Sequence, residues 1–202
     1  MRKSKLYIWE IALMAALCIS LAAGAHAGAE QEALADKMVR LHVIARSNAE
    51  EDQRVKLLVR DAVLTELTPL LETAEDAVSA RDTVAGALQR VADTAAAVSG
   101  LPVTVTLGAE DYPTREYDGF SLPAGRYTSL RVVLGEGAGR NWWCVVFPPL
   151  CLASVSEEVT AAAAQAGLTE EQVALITGQD GGYVLKFKVM EWWEEFLQRW
   201  KK

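Results

Sequence analysis

RLHVIARSNAEE, residues 40–51, changes its period in the middle. From Arg40 to Ala45 charged or polar residues alternate with apolar ones, the period-two pattern of a half-buried strand, which puts Leu41 and Val43 on the core side. Ser47-Asn48-Ala49-Glu50-Glu51 then offers two overlapping capping boxes, Ser47 with Glu50 or Asn48 with Glu51. They open a helix over Asp52–Leu67, which Pro69 ends. Val55, Leu58, Val59 and Ala62 share one face of that helix while Leu57, Leu64 and Leu67 lie elsewhere, so cover on more than one side is expected.

Downstream, a second helix is expected over Ala77–Ala97, with Val78, Val84, Leu88, Val91 and Ala95 as core positions and Gly100 and Pro102 as its stop. Asp82-Thr83 matches the first two letters of an aspartic-protease Asp-Thr-Gly motif, but Val84 replaces the glycine and the setting is helical. From Val103 the period returns to two. Val103–Leu107, Tyr117–Phe120, Tyr127–Leu134 and Asn141–Phe147 read as successive antiparallel strands, the last two joined by a hairpin at Gly135–Gly139. That glycine run superficially resembles a phosphate loop, yet it leads into Trp142 and a strand, not into the helix N-terminus such a loop requires. Ser156–Thr177 is alanine-rich and helical in pattern, broken near Gly167 and restarted with Thr169 as N-cap. A turn at 179–182, a strand over Tyr183–Val189 and a helix over Glu191–Lys202 close the chain. Altogether this describes a single α+β domain: an antiparallel sheet with flanking helices, following an N-terminal signal or anchor.

Upstream, Arg2, Lys3 and Lys5 precede an apolar run from Ile11 to Ala23 and the small-x-small triplet Ala25-His26-Ala27. This is the layout of an export signal cleaved after Ala27, with an uncleaved anchor as the alternative. The expected organisation is therefore 1–27 signal or anchor, 28–37 a polar tether, and 38–202 the exported domain. Net charge is −7 and becomes more negative without the basic n-region. No Lys/Arg cluster suits phosphate neutralisation, so nucleic acid is not an expected partner. Cys18 falls in the signal, leaving Cys144 and Cys151 as an even pair in an oxidising compartment, which reads as a disulfide. Closing so short a loop is worth about 2.5 kcal/mol in the chain-entropy treatment.

Three stretches carry a family resemblance: RLHVIARSNAEEDQRVKLLVRDAV, YPTREYDGFSLPAGRYTSLRVVLGEGAGRNWWCVVFPPLC and VLKFKVMEWWEEF. Together they resemble stage II sporulation protein R of endospore-forming bacteria. The resemblance implies a protein secreted by the forespore into the space between forespore and mother cell. There it would activate a membrane-embedded aspartic protease that processes pro-sigma-E. It implies a ligand rather than an enzyme, and no cofactor. Arg46 stands where most of that family is expected to carry a small amide residue such as asparagine.

Partner-binding candidates fall in three places. Arg40, His42, Arg46 and Asp52 could form a recognition edge where strand meets helix, or equally a solvated face with local ion pairs. Trp142 and Trp143 point to opposite sides of their strand, so at least one belongs to the core. In the terminal helix Trp192, Trp193, Phe196, Leu197 and Trp200 share one arc, which packs on the sheet or, around Trp200, meets a membrane surface or partner. The rival from another class is an exported hydrolase using Cys144 or Cys151 with His42. Zinc is not expected, because two cysteines and one histidine leave the site a ligand short.

Overall fold

The computed structural model describes residues 7–151 and 156–178. The expected α+β class holds, with helices packed against a four-stranded sheet. Along the chain run α1 (Ile8–Asp36), β1 (Val39–Ile44), α2 (Glu50–Leu71), α3 (Ala77–Ser99), β2 (Val103–Tyr112), β3 (Arg115–Tyr117), β4 (Phe120–Leu122), β5 (Gly125–Leu134), β6 (Asn141–Phe147), α4 (Ser156–Gln165) and α5 (Glu170–Thr177). The strand and helix expected over 183–202, and with them Trp192, Trp193 and Trp200, lie outside the described residues.

The sheet order is β2-β5-β1-β6. β1 runs parallel to β5, pairing Leu41 with Leu130, and antiparallel to β6, pairing Leu41 with Cys144. Consequently β5 and β6 flank β1 and do not pair with each other, and Gly135–Gly139 crosses over the end of β1 instead of turning a hairpin. The sheet is mixed where an all-antiparallel one was expected. The alternation in 40–45 is real, but with strands on both sides every residue of β1 is buried, Arg40 and His42 included. A half-buried strand was expected because alternation reports which face each side chain takes, not whether the polar face is covered.

Leu41 and Val43 face α2 and α3. Buried Val59, Val63, Leu67 and Leu71 line one stripe of α2, and Val84, Ala87, Val91 and Ala95 one stripe of α3. The stripe on α2 is rotated from the expected one: Leu58 is 46% exposed and Val78 of α3 is also exposed. Pro69 lies inside α2 rather than ending it, because the last turn still closes through Glu72 N–H donating to the Thr68 carbonyl. Neither expected capping box forms at the start of α2, where Ala49 is the N-cap, whereas Asp76 with Ser79 and Thr169 with Gln172 do form them. α4 and α5 break near Gly167 as expected.

α1 is long and apolar enough to cross a membrane, and Ile8, Leu13, Leu17 and Leu21 along it are exposed. The stretch expected as a tether is helical through Asp36 and joins the core, where Leu34 and Ala35 are buried. Lys37 Nζ donates to the Gly167 carbonyl at 2.8 Å and to Gln172 Oε1 at 2.9 Å, and Arg81 donates to the Asp36 carbonyl at 2.7 Å. Low hydropathy in 28–37 suggested a tether; these contacts explain why it is ordered.

Cys144 and Cys151 form the expected disulfide, with their Cα atoms 5.6 Å apart. It ties the middle of β6 to the chain just past Pro148-Pro149, where Cys151 N–H also donates to the Val145 carbonyl.

Candidate functional site

The strand register sorts the candidate residues by face. Arg40 and His42 point away from α2 and α3, as do their partners Val145 and Trp143 on β6 and Ser129 and Arg131 on β5. Trp142 points the other way, beside Val43, where Arg60 of α2 lies 4.9 Å from its ring. Arg40, His42 and Trp143 therefore assemble on one face, while Trp142 does not join them.

Arg40 is fully buried and forms no ion pair among the described residues. Its guanidinium carbon lies 3.8 Å from the centre of the Tyr112 ring, 4.8 Å from Tyr127 and 5.9 Å from Tyr117, and it donates one hydrogen bond to the Tyr117 hydroxyl. Three aromatic faces thus offer quadrupolar attraction in place of a counter-charge. Burial raises the pKa of Tyr112, Tyr117 and Tyr127 above the usual phenol range, so all three stay neutral donors and acceptors at physiological pH. The Tyr112 hydroxyl is 2.7 Å from Ser129 Oγ, and Tyr127 donates to the Pro123 carbonyl at 2.8 Å.

Beside this cage His42 Nδ1 is 2.9 Å from Glu110 Oε1. Glu110 itself reaches the rim of this face, with 28% of its side chain exposed. Trp143 stacks on His42 at 5.4 Å, and Arg115 of β3 covers the outer side of that indole at 3.7 Å. The β3–β4 ribbon, with Tyr117 stacked on Phe120, roofs the Arg40 end of the face. Glu110, Tyr112, Arg115, Tyr117 and Tyr127 were not singled out from the sequence. The apolar alternation of 103–107 breaks at Gly108–Asp111, so only the strand parity, once β2 is followed to Tyr112, places Glu110 and Tyr112 with Thr104 and Thr106 on the face opposite Val103, Val105 and Leu107.

Arg46 and Asp52 sit apart from the cage, at the end of β1. Arg46 grips Asp52 through both carboxylate oxygens, Nη2 to Oδ1 at 2.8 Å and Nε to Oδ2 at 3.1 Å, and Ser47 Oγ donates to Oδ2 at 2.5 Å. The Arg46 stem lies against Gly135, so the arginine is accommodated where a small amide was expected. This cluster locks two loops together. Gly139 N–H donates to the Ala45 carbonyl at 2.9 Å, Arg140 N–H to Asn48 Oδ1 at 2.9 Å, and Lys56 Nζ to the Arg140 carbonyl at 3.1 Å. Of the four residues read as a recognition edge, only Arg46 is well exposed, with half of its side chain in solvent.

Hydrogen bonds from Ser47 and then Arg46 hold the Asp52 carboxyl below its usual range. A depressed carboxylate stabilises the fold fully above about pH 3.9, the unfolded value, and that contribution disappears as pH falls through the lower folded value. In urea titrations from pH 7 to 2.5, the stability gap between wild type and Asp52→Asn should therefore be constant down to about pH 4 and shrink below it. A gap that stays constant to pH 2.5 would show that the Asp52 charge contributes nothing.

A Cys-His hydrolase centre is not assembled. Cys144 is opposite Leu41, on the face away from His42, and its sulfur is in the disulfide. Among the described residues no His/Cys/Asp/Glu group could hold a metal ion.

A family model described as stage II sporulation protein R matches residues 35–157, from the end of α1 to the start of α4. The chain is also 29% identical over 184 residues to the stage II sporulation protein R of Bacillus subtilis (strain 168), covering 78% of this chain and 80% of that one. No solved structure matches.

Proposed function

The chain belongs to the stage II sporulation protein R family, a family of sporulation signalling proteins, and from that premise we propose that it is exported from the forespore and activates a membrane-embedded aspartic protease that processes pro-sigma-E in the mother cell. The observation that carries this reading is the match across residues 35–157, which spans the sheet, the tyrosine cage and the locked loops. The apolar α1 is consistent with export, as signal or as anchor, and the intermembrane space is the compartment this reading requires.

Activation by contact needs the signal to bind the active arrangement of the protease more tightly than the inactive one. Arg46, Trp142 and Trp143 are the described candidates for that contact, with Trp192, Trp193 and Trp200 proposed from the sequence. Arg40 and His42, being buried, would shape the surface from beneath. The test is reconstitution in a non-sporulating bacterium that makes the protease and the precursor, with cleavage followed by immunoblot. Wild type and a Cys144→Ser, Cys151→Ser variant, matched for folded protein, should both trigger cleavage. No cleavage with the folded wild type would overturn the signalling role; loss in the folded variant alone would restore a thiol mechanism.

A further inference from the structure

Arg40 presents an unresolved charge. Its Nε and Nη1 are buried and have no acceptor among the described residues, leaving the Tyr117 hydroxyl as its hydrogen-bond acceptor. An arginine cannot shed its proton to escape this cost, and a buried unpaired charge is worth several kcal/mol of destabilisation. The neighbouring charges do not relieve it: Glu110 turns Oε1 to His42 and Arg131 and leaves its buried Oε2 without a donor, forming no ion pair with Arg40, and Arg115 adds a further buried Nε without an acceptor. Cation-π contact with three rings satisfies the flat faces of the guanidinium but not the N–H groups in its plane.

We propose that the tyrosine cage is a binding site for a carboxylate, which enters beneath the β3–β4 ribbon and accepts hydrogen bonds from Arg40. A buried cation without a carboxylate partner calls for an anion, and a planar carboxylate fits between aromatic walls while meeting in-plane donors. β4 is anchored in the core by Phe120 and Leu122, so the strand that can yield is β3, three residues long and not itself buried, whose attachment is the stack of Arg115 on Trp143. The same chemistry is available from a free small carboxylate or from an acidic side chain of another protein.

Ligand binding to the folded state raises stability in proportion to occupancy, so the site can be read without knowing its natural occupant. The full chain, held in detergent micelles, is melted in sodium acetate, sodium phosphate and sodium chloride at equal ionic strength. Acetate at ten times its Kd shifts the folding equilibrium about elevenfold, a rise in Tm of roughly 3–6 °C over chloride. Arg40→Met should abolish the difference between acetate and chloride. Tyr117→Phe, which keeps the stack on Phe120 but frees the last donor of Arg40, should enlarge it. The peptide Ac-Gly-Glu-Gly-NH2, compared with its glutamine counterpart, identifies the source: stabilisation by the glutamate peptide marks an acidic side chain, and stabilisation by acetate alone marks a small free carboxylate. No acetate effect in wild type, an equal effect from phosphate, or an undiminished effect in Arg40→Met overturns the assignment. Should Arg40→Met fail to fold, an unchanged acetate response in Tyr117→Phe overturns it equally.

Discussion

Gly139→Ala is expected to cost at least about 3 kcal/mol, the upper end of what overpacking imposes, and to lower Tm by roughly 6–12 °C. The reason is local and backbone-bound. A Cβ at position 139 would stand 2.2 Å from the Ser47 carbonyl oxygen and 2.6 Å from its carbon, so no rotamer change relieves the overlap. Moving the backbone instead would break the bonds from Gly139 N–H to Ala45 and from Ala138 N–H to Arg46, which hold the two loops together. Gly86→Ala provides the opposite control. Its site on α3 has open space around the added methyl, and a helical glycine replaced by alanine should gain about 0.5–1 kcal/mol. Thermal melts of the two variants beside wild type decide the matter, and a Gly139→Ala melt within 1–2 °C of wild type, on the order of 0.5 kcal/mol, would refute the close approach.

The second large effect is expected at Leu41→Ala, at about 2–5 kcal/mol. Leu41 is wholly buried, pairs with Leu130 and Cys144 on its two neighbouring strands and faces the helices, so the surroundings have little freedom to collapse into the space it leaves. Leu58→Ala removes the same atoms from a position that the sequence alone placed in the core, yet it should cost only about 1 kcal/mol because Leu58 is nearly half exposed. Urea unfolding of both variants with an unchanged m-value would separate them cleanly. Equal losses would mean that the packed stripe of α2 is the one inferred from periodicity, not the one through Val59, Val63, Leu67 and Leu71.

That contrast shows what periodicity can and cannot carry. The class, the order of α2 and α3, the strand at 141–147, the disulfide and the broken helix near Gly167 were all legible, because each depends on local pattern: alternation, caps, glycine and proline, an even pair of cysteines. The neighbours of β1 were not. Hairpin logic joins β5 to β6 through Gly135–Gly139, and nothing local reveals that a strand from the other end of the chain enters between them. The same insertion turned Arg40 and His42 from an exposed edge into a buried cluster. Their caging partners Tyr112, Tyr117 and Tyr127 come from three further strands, so the site exists only once the sheet is closed. The α2 face was missed by a small rotation, since Leu57, Leu58 and Leu64 supply apolar side chains all round and the choice of stripe falls to packing.

The central position of β1 also sets an order of assembly. Both of its partners are made long after it: the ladder with β5 needs residues 128–133 and the ladder with β6 residues 141–147. A chain emerging N-terminus first can fold α2 against α3 early, because those helices are adjacent, but its middle strand must wait with both edges open. Such late, non-local pairing slows folding and leaves an apolar strand available to wrong partners in the meantime. Truncation before Thr128 should therefore leave β1 with neither partner, an orphan strand on a helical fragment, whereas truncation between Leu134 and Asn141 should leave a sheet that lacks β6.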